Sequence, residues 1–445
     1  MADPTDRSRT PPDPAPAQAD RDHHVVIVGG GFGGLAVAQE LGSVAGLRVT
    51  LLDRRNHHLF QPLLYQVATA VLSPGEVAEP IRRIVSRHRN IRVLLAEVNG
   101  VDRAERRVRL RDGGAIAYDT LVIATGATHS YFGHADWARH APGLKTLDDA
   151  RAIRARVLLA FERAERTSDP AERERLTTFA VVGGGPTGVE MAGAIAGLSR
   201  QALARDFRAV DPTRARILLI EAAPRILGTF PEHLSAYATK ALERLGVTVM
   251  TLSPVEAIDE VGVTVRGSRI PAATMVWGAG VQASPAGQWL GIATERGGHI
   301  RVGPDLAVEG LRDVYALGDV AMARAEDGSA LPGLAQVAHQ QGHYLGKALR
   351  ARLVAGQRPA PFRFRSRGNL AVIGRNSAVV QWDGLSLKGF PAWLVWGIAH
   401  VYLLVGFQNR LVVTLRWLWA YVTYQRGARL ISEREEAAAA LHQQA

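Results

Sequence analysis

Hydrophobic and polar positions along the chain repeat one pattern twice and then change character. From residue 23 a β-branched run, Val25-Val26-Ile27-Val28, meets Gly29-Gly30-Gly31-Phe32-Gly33-Gly34 and then Leu35-Ala36-Val37-Ala38-Gln39-Glu40-Leu41. That order predicts strand, tight turn, helix. A second apolar run at 49–52 ends on Asp53 and completes a βαβ unit. The pattern returns at Phe179-Ala180-Val181-Val182, Gly183-Gly184-Gly185-Pro186-Thr187-Gly188, a helix from Val189, and Ile217-Leu218-Leu219-Ile220 ending on Glu221. Runs at 121–124 and 314–317 stop at Thr125-Gly126 and Gly318-Asp319, the pattern of buried parallel strands that end at a ligand. Residues 151–175, rich in Ala, Arg and Glu, predict a connecting helical segment.

The repeat predicts an α/β fold with two Rossmann-like units on parallel sheets. Beyond about residue 385 the chain becomes its most apolar, with an uncharged run at 391–407, the interruption Gln408-Asn409-Arg410, and a second run at 411–424 carrying Trp417, Trp419 and Tyr421. A membrane-spanning helix needs about 20 apolar residues. The first run is shorter and contains His400; the second has Arg416 in its middle and is flanked by Arg410 and Arg426. Aromatic and basic side chains together predict a monotopic pair of amphipathic helices lying in the interface, with a hairpin span or a buried or dimer surface as alternatives. Residues 1–22, Pro- and Asp-rich, and 431–445 read as tails, the first disordered.

Composition narrows the chemistry. The 445 residues allow two to four domains, and 47% hydrophobic with 21% charged residues describes a chain that folds. The net charge of +11 comes almost wholly from scattered arginines, with lysine only at Lys145, Lys240, Lys347 and Lys388, so no nucleic-acid patch is expected. Cysteine is absent, which excludes disulfides, thiolate metal sites and Cys nucleophiles. The first 22 residues have no apolar core of a secretory signal, which places the expected chemistry on the cytoplasmic side. His57 and His58 have no further ligand at metal spacing, so no metal is expected, and no G-x-S-x-G elbow follows a strand.

In each glycine turn the first Gly permits the turn, the second admits a pyrophosphate and the third lets helix and strand pack, with the phosphates at the positive end of the helix. The sets are Gly29, Gly31, Gly34 and Gly183, Gly185, Gly188. Asp53 lies at the expected distance of about 20 residues for an acid on ribose hydroxyls, and Glu221 lies farther out. An acid at the second site favours NADH over NADPH, because it repels a 2′-phosphate. Arg225, four residues on, reads best as a solvated charge.

These residues resemble the flavoprotein oxidoreductases with an FAD domain interrupted by an NAD domain. Ala124-Thr125-Gly126 is similar to their joining motif and Tyr315-Ala316-Leu317-Gly318-Asp319 to their second FAD motif. The chain resembles most closely the type II NADH:quinone oxidoreductases, which do not pump protons. The stretches that carry this are Asn56-His57-His58-Leu59-Phe60-Gln61-Pro62-Leu63-Leu64-Tyr65-Gln66-Val67-Ala68, the second glycine turn through Glu190, Leu334-Ala335-Gln336-Val337-Ala338-His339-Gln340, and the Trp-rich end through Arg426-Gly427-Ala428-Arg429-Leu430. With no cysteine, the relatives that relay electrons through thiols drop out.

The resemblance implies an FAD domain at 23–145 and 305–345, an NAD domain at 176–300 and a membrane and quinone region at 360–430. It implies FAD on Gly29, Gly31, Phe32, Gly33, Gly34, Asp53, Arg54, Ala124, Thr125, Gly126, Gly318, Asp319, Ala335 and Gln336. NADH falls to Gly183, Gly185, Pro186, Thr187, Gly188, Glu190 and Glu221. Glu190, in the first turn of its helix, is expected to orient NADH or relay protons. Gln336 and Gln340, four apart on one helix face, offer amide donors and acceptors, and the resemblance puts them at the headgroup of a membrane quinone, ubiquinone or menaquinone. His339 between them stays unassigned. The expected location is peripheral, on the cytoplasmic face of the inner membrane, with a homodimer left open. A reductase of a small ferredoxin-type carrier, or a redox sensor that binds both nucleotides, are the competing readings.

Overall fold

The computed structural model describes residues 22–404, 407–423 and 426–431, without the side chains of 407 and 408. The tails expected at 1–22 and 431–445 lie almost wholly outside the described residues. In chain order the elements that matter here are strand β1 (His23–Val28), helix α1 (Phe32–Glu40), β2 (Leu47–Asp53), β3 (Ile91–Leu95), β4 (Thr120–Ile123) and helix α2 (Leu147–Arg166). Then come β5 (Thr178–Val182), α3 (Pro186–Gly197), β6 (Arg216–Ile220), α4 (Glu232–Arg244), β7 (Val247–Met250) and β8 (Thr274–Trp277). The last group is β9 (Val314–Ala316), α5 (Ala335–Ala355), β10 (Asn369–Gly374), β11 (Ser377–Trp382), β12 (Leu385–Gly389), α6 (Phe390–Leu403) and α7 (Phe407–Thr423).

Two parallel sheets result, ordered β3-β2-β1-β4-β9 and β7-β6-β5-β8. The strand order reverses at β1 and at β5, and a crevice for a ligand opens at such a switch point. Val25, Val26 and Ile27 are wholly buried, as are Phe179, Ala180 and Val181. Their runs do not alternate because both sheet faces are covered. Each unit connects its third and fourth strands through an antiparallel meander, at 98–117 in the first and 255–271 in the second. The chain leaves the first sheet after β4, builds the second, and returns at β9. Residues 127–129 and 281–283 pair antiparallel where the two units join.

The connecting segment is helical: α2 starts in a capping box of Thr146 and Asp149, and a shorter helix, Pro170–Leu176, follows, capped by Asp169. The C-terminal region begins with an unforeseen antiparallel sheet, β10-β11-β12, which packs on α3. Here the two backbones touch: a methyl on Gly193 would lie 1.8 Å from the Ile373 carbonyl oxygen. The helices α6 and α7 follow. Arg416, still partly exposed, pairs with the buried Glu76, and Asn409 donates to Glu79 Oε2 at 3.1 Å. Trp396 stacks on Trp417 with 5.1 Å between centroids, holding the pair together.

Candidate active site

Both glycine turns have the same construction. Gly29 and Gly183 take φ of +107°, which favours glycine, and a side chain there would also strike the end of the neighbouring strand: Ala124 O at 2.3 Å and Gly278 C at 2.5 Å. Methyls on Gly34 and Gly188 would lie 1.9 and 1.8 Å from the carbonyl oxygens of Gly29 and Gly183. Space beside Gly31 and Gly185 is open. Neither α1 nor α3 has a side-chain cap at its start, so the first N–H groups of both face that space. A dinucleotide pyrophosphate fits such a turn.

The two acids are placed alike. Asp53 Oδ2 accepts from the Gly30 N–H at 2.6 Å and Oδ1 from Arg55 N at 2.8 Å. Glu221 accepts through Oε2 from Gly184 N and through Oε1 from Ala223 N at 2.7 Å. Each carboxylate thus fixes its glycine turn and stays beside the place where a ribose would sit. Arg225 is a loop clamp, not a solvated charge: its guanidinium donates to the carbonyls of Phe230 and Gly228 at 2.6 and 2.9 Å. Pro186 and Thr187 are exposed at the second turn, as Arg54 is beside Asp53.

The joining motif and the second FAD motif meet the first turn. Thr125 Oγ1 lies 2.6 Å from Ser284 Oγ, and Gly126 takes φ of +66°. Gly318 donates its N–H to Gln341 Oε1 at 2.7 Å, and a methyl on Gly318 would come within 3.2 Å of the Ala338 Cβ. Lys145 Nζ stands 3.9 Å from Asp319, and burial lowers its pKa against the pull of that carboxylate. Phe32 meets the buried His58 edge to face at 4.9 Å. Ala335 opens α5, and Gly342 in the same helix would strike the Gly33 carbonyl at 2.3 Å if it had a Cβ.

Glu190 lies one turn deeper in α3 than its expected place, so it does not complement the helix dipole. It accepts from the Val372 N–H, and burial pushes its pKa up to about 8. Its charge and, above all, burial hold the Tyr65 hydroxyl well above the usual range. That hydroxyl accepts from Gln66 Nε2 at 2.9 Å, and Gln66 Oε1 accepts from Trp417 Nε1 at 2.8 Å.

Gln336 and Gln340 share a face of α5, and both amides clasp one stretch of backbone. Gln336 donates to Gly368 O at 3.0 Å and accepts from Arg367 N at 2.9 Å. Gln340 donates to Arg365 O at 2.9 Å and accepts from Arg365 N at 3.1 Å. With Glu190 on Val372, three residues from both units hold one segment, 365–372.

Sequence reasoning missed four contributors. The run Thr274-Met275-Val276-Trp277 followed by Gly278-Ala279-Gly280 is the second unit's counterpart of 121–126, and its apolar-then-small pattern was a usable signal. Lys145 and Gln341 gave none, because their partners are remote in sequence, and Tyr65 stood only within the stretch 56–68, with no role of its own. Among the described residues no cluster of potential metal ligands occurs.

The helices α6 and α7 leave an apolar face uncovered: Ile398 and Tyr402 are each 70% exposed, Trp419 62% and Val422 69%, with Leu394, Leu411, Leu415 and Leu418 also exposed. Among the described residues no helix is long and apolar enough to cross a membrane.

The sequence model of the pyridine nucleotide-disulphide oxidoreductases matches residues 23–342. The chain is 42% identical over 434 residues to the type II NADH:quinone oxidoreductase Ndh of Mycobacterium tuberculosis, covering 94% of this chain and 92% of that protein. It is 40% identical to NdhA of the same organism, covering 94% and 91%. The structure of NDH2 from Plasmodium falciparum in complex with NADH superposes with a TM-score of 0.84 at 20% identity, over 92% of this chain and all of that one.

Proposed function

The chain belongs to the pyridine nucleotide-disulphide oxidoreductases and, within them, to the type II NADH:quinone oxidoreductases, and on that premise we propose how its own residues divide the work. The enzyme uses FAD and oxidises NADH with reduction of a quinone. Disulfide chemistry is closed to it, because it has no cysteine.

FAD fits the first turn: the open space beside Gly31 and the uncapped start of α1 take the pyrophosphate, Asp53 the ribose, and Gly318-Asp319 with Lys145 the remaining polar chain. NADH fits the second, with Glu221 already committed against a 2′-phosphate and Arg225 turned away to its loop. When bound, the flavin supplies hydride acceptance and two-electron release. The chain supplies position and charge. Glu190 is neutral below about pH 8 and can hold a proton where nicotinamide and flavin meet.

The observation that carries this division is the segment 365–372. It is held by Gln336 and Gln340 from the FAD-side helix and by Glu190 from the NAD-side helix. The quinone headgroup belongs beside it, where each glutamine still has an unused donor and lone pair. The exposed face of α6 and α7 lies on the membrane surface, so that a water-insoluble substrate arrives from the lipid side, and among the described residues no helix is long and apolar enough to span it. A photoreactive quinone analogue should crosslink to residues 336–340 or 365–372 and be displaced by excess quinone. Crosslinks confined to other parts of the chain contradict the assignment.

A further inference from the structure

Helix α5 carries a second row of side chains that the nucleotide sites do not use. His339 and His343 meet edge to face at 4.5 Å between centroids, with their Nε2 atoms 3.3 Å apart. His343 turns Nδ1 to Glu40 Oε1 on α1, at 2.7 Å. Lys347 Nζ, 71% exposed, stands 4.0 Å from the same carboxylate oxygen at the solvent edge. At the inner end His339 lies between Gln336 and Gln340 in sequence, and it feels Arg367 of the clasped segment and the buried His58. His58 itself is tied through Nδ1 to the Gly30 carbonyl at 3.2 Å. Exchangeable groups therefore run from the solvent edge of α1 through Glu40 and His343 to His339, which feels the charge of Arg367 in the segment that both glutamines hold.

We propose that Glu40, His343 and His339 conduct the proton that quinone reduction draws from water. Quinol formation takes up two electrons and two protons, and NADH brings a hydride, that is two electrons and one proton. The second proton comes from solvent. It arrives on His343 beside Glu40, passes from His343 Nε2 to His339 Nε2, and His339 gives up its Nδ1 proton to the quinone oxygen. One O–H bond forms and one N–H bond breaks, and exchange with water, a proton leaving His339 Nε2 as one binds Nδ1, restores the starting tautomer. Burial, with His343, Arg367 and His58 adding to it, lowers the His339 pKa to about 4. At neutral pH it therefore carries a charge in only about one molecule in a thousand, which makes it a conduit and His343 with Glu40 the entrance.

The path rests on quinone being reduced beside 365–372, and the test separates the two. FAD-replete enzyme is first reduced with NADH and then mixed with a soluble quinone analogue, for wild type, His343→Gln and Glu40→Gln. Both variants should accept electrons from NADH at the wild-type rate. Reoxidation by quinone should slow on the order of tenfold at alkaline pH and less at acid pH, with a larger solvent deuterium effect, and added imidazole should restore it. Unchanged reoxidation in both variants, or slowing without imidazole rescue, would overturn the path. Wild type that fails to pass electrons to any quinone analogue would overturn the site beneath it.

Discussion

The two glycine turns share their construction, and the helices that follow them are not covered alike. Gly29 and Gly183 share one φ, Gly31 and Gly185 face open space, and Asp53 and Glu221 each brace the glycine after the first. What packs on each helix differs. Against α1 lies α5, with Gly342 and Gly346 giving close approach and Gln336, His339, Gln340 and His343 arrayed along it. Against α3 lie β10 and the C-terminal segment, where Arg426 donates to the Ala194 and Thr69 carbonyls and burial lowers its pKa to about 10. The glycine turn is thus a repeated part, and in the proposed division of labour the direction of electron flow comes from what covers it.

The largest effects should come from breaking one turn and sparing the other. Gly34→Ala puts a methyl 1.9 Å from a carbonyl oxygen and should leave protein without FAD, read from the flavin absorbance of the purified protein. Gly188→Ala makes the same clash at 1.8 Å and should keep FAD but lose NADH-driven flavin reduction by about a hundredfold or more. Equal FAD loss in both would show that the units are not separable.

Next in size is membrane attachment. Replacing Ile398 and Trp419 with Asp should weaken sedimentation with anionic vesicles about tenfold or more while activity on a soluble quinone analogue persists. Unchanged sedimentation, or a change in oligomeric state instead, assigns the face to another copy of the chain.

A smaller effect concerns Glu190. Its folded pKa, about 8, lies above the ordinary 4.5, so the unfolded chain binds fewer protons between these values. The stabilising contribution of the neutral acid is therefore full below about pH 4.5 and is lost as pH rises to about 8. Glu190→Gln should flatten that part of the urea-midpoint profile; an unaltered slope means the carboxyl is already ionised.

The glycines and acids were legible because each is demanded by local geometry that leaves few residue types. The strands at 25–28 and 179–182 were legible because burial on both faces removes polar positions. The clasp at 365–372 was not, since Gln336 and Gly368 meet only after the chain has closed on itself. The sheet β10-β11-β12 was hidden for the same reason, its packing against Gly193 being long-range. The partner of Arg416 was hidden too, because nothing in the aromatic run around it points to Glu76, 340 residues away.

In the proposed path, electrons enter through the second unit and leave beside the segment clasped by Gln336 and Gln340. The most direct measurement is double-mixing stopped-flow absorbance on Gln336→Ala/Gln340→Ala, with NADH first and a soluble quinone analogue second. The account predicts flavin reduction at the wild-type rate and reoxidation slowed about tenfold or more. Equal loss in both phases, or none in either, would contradict it.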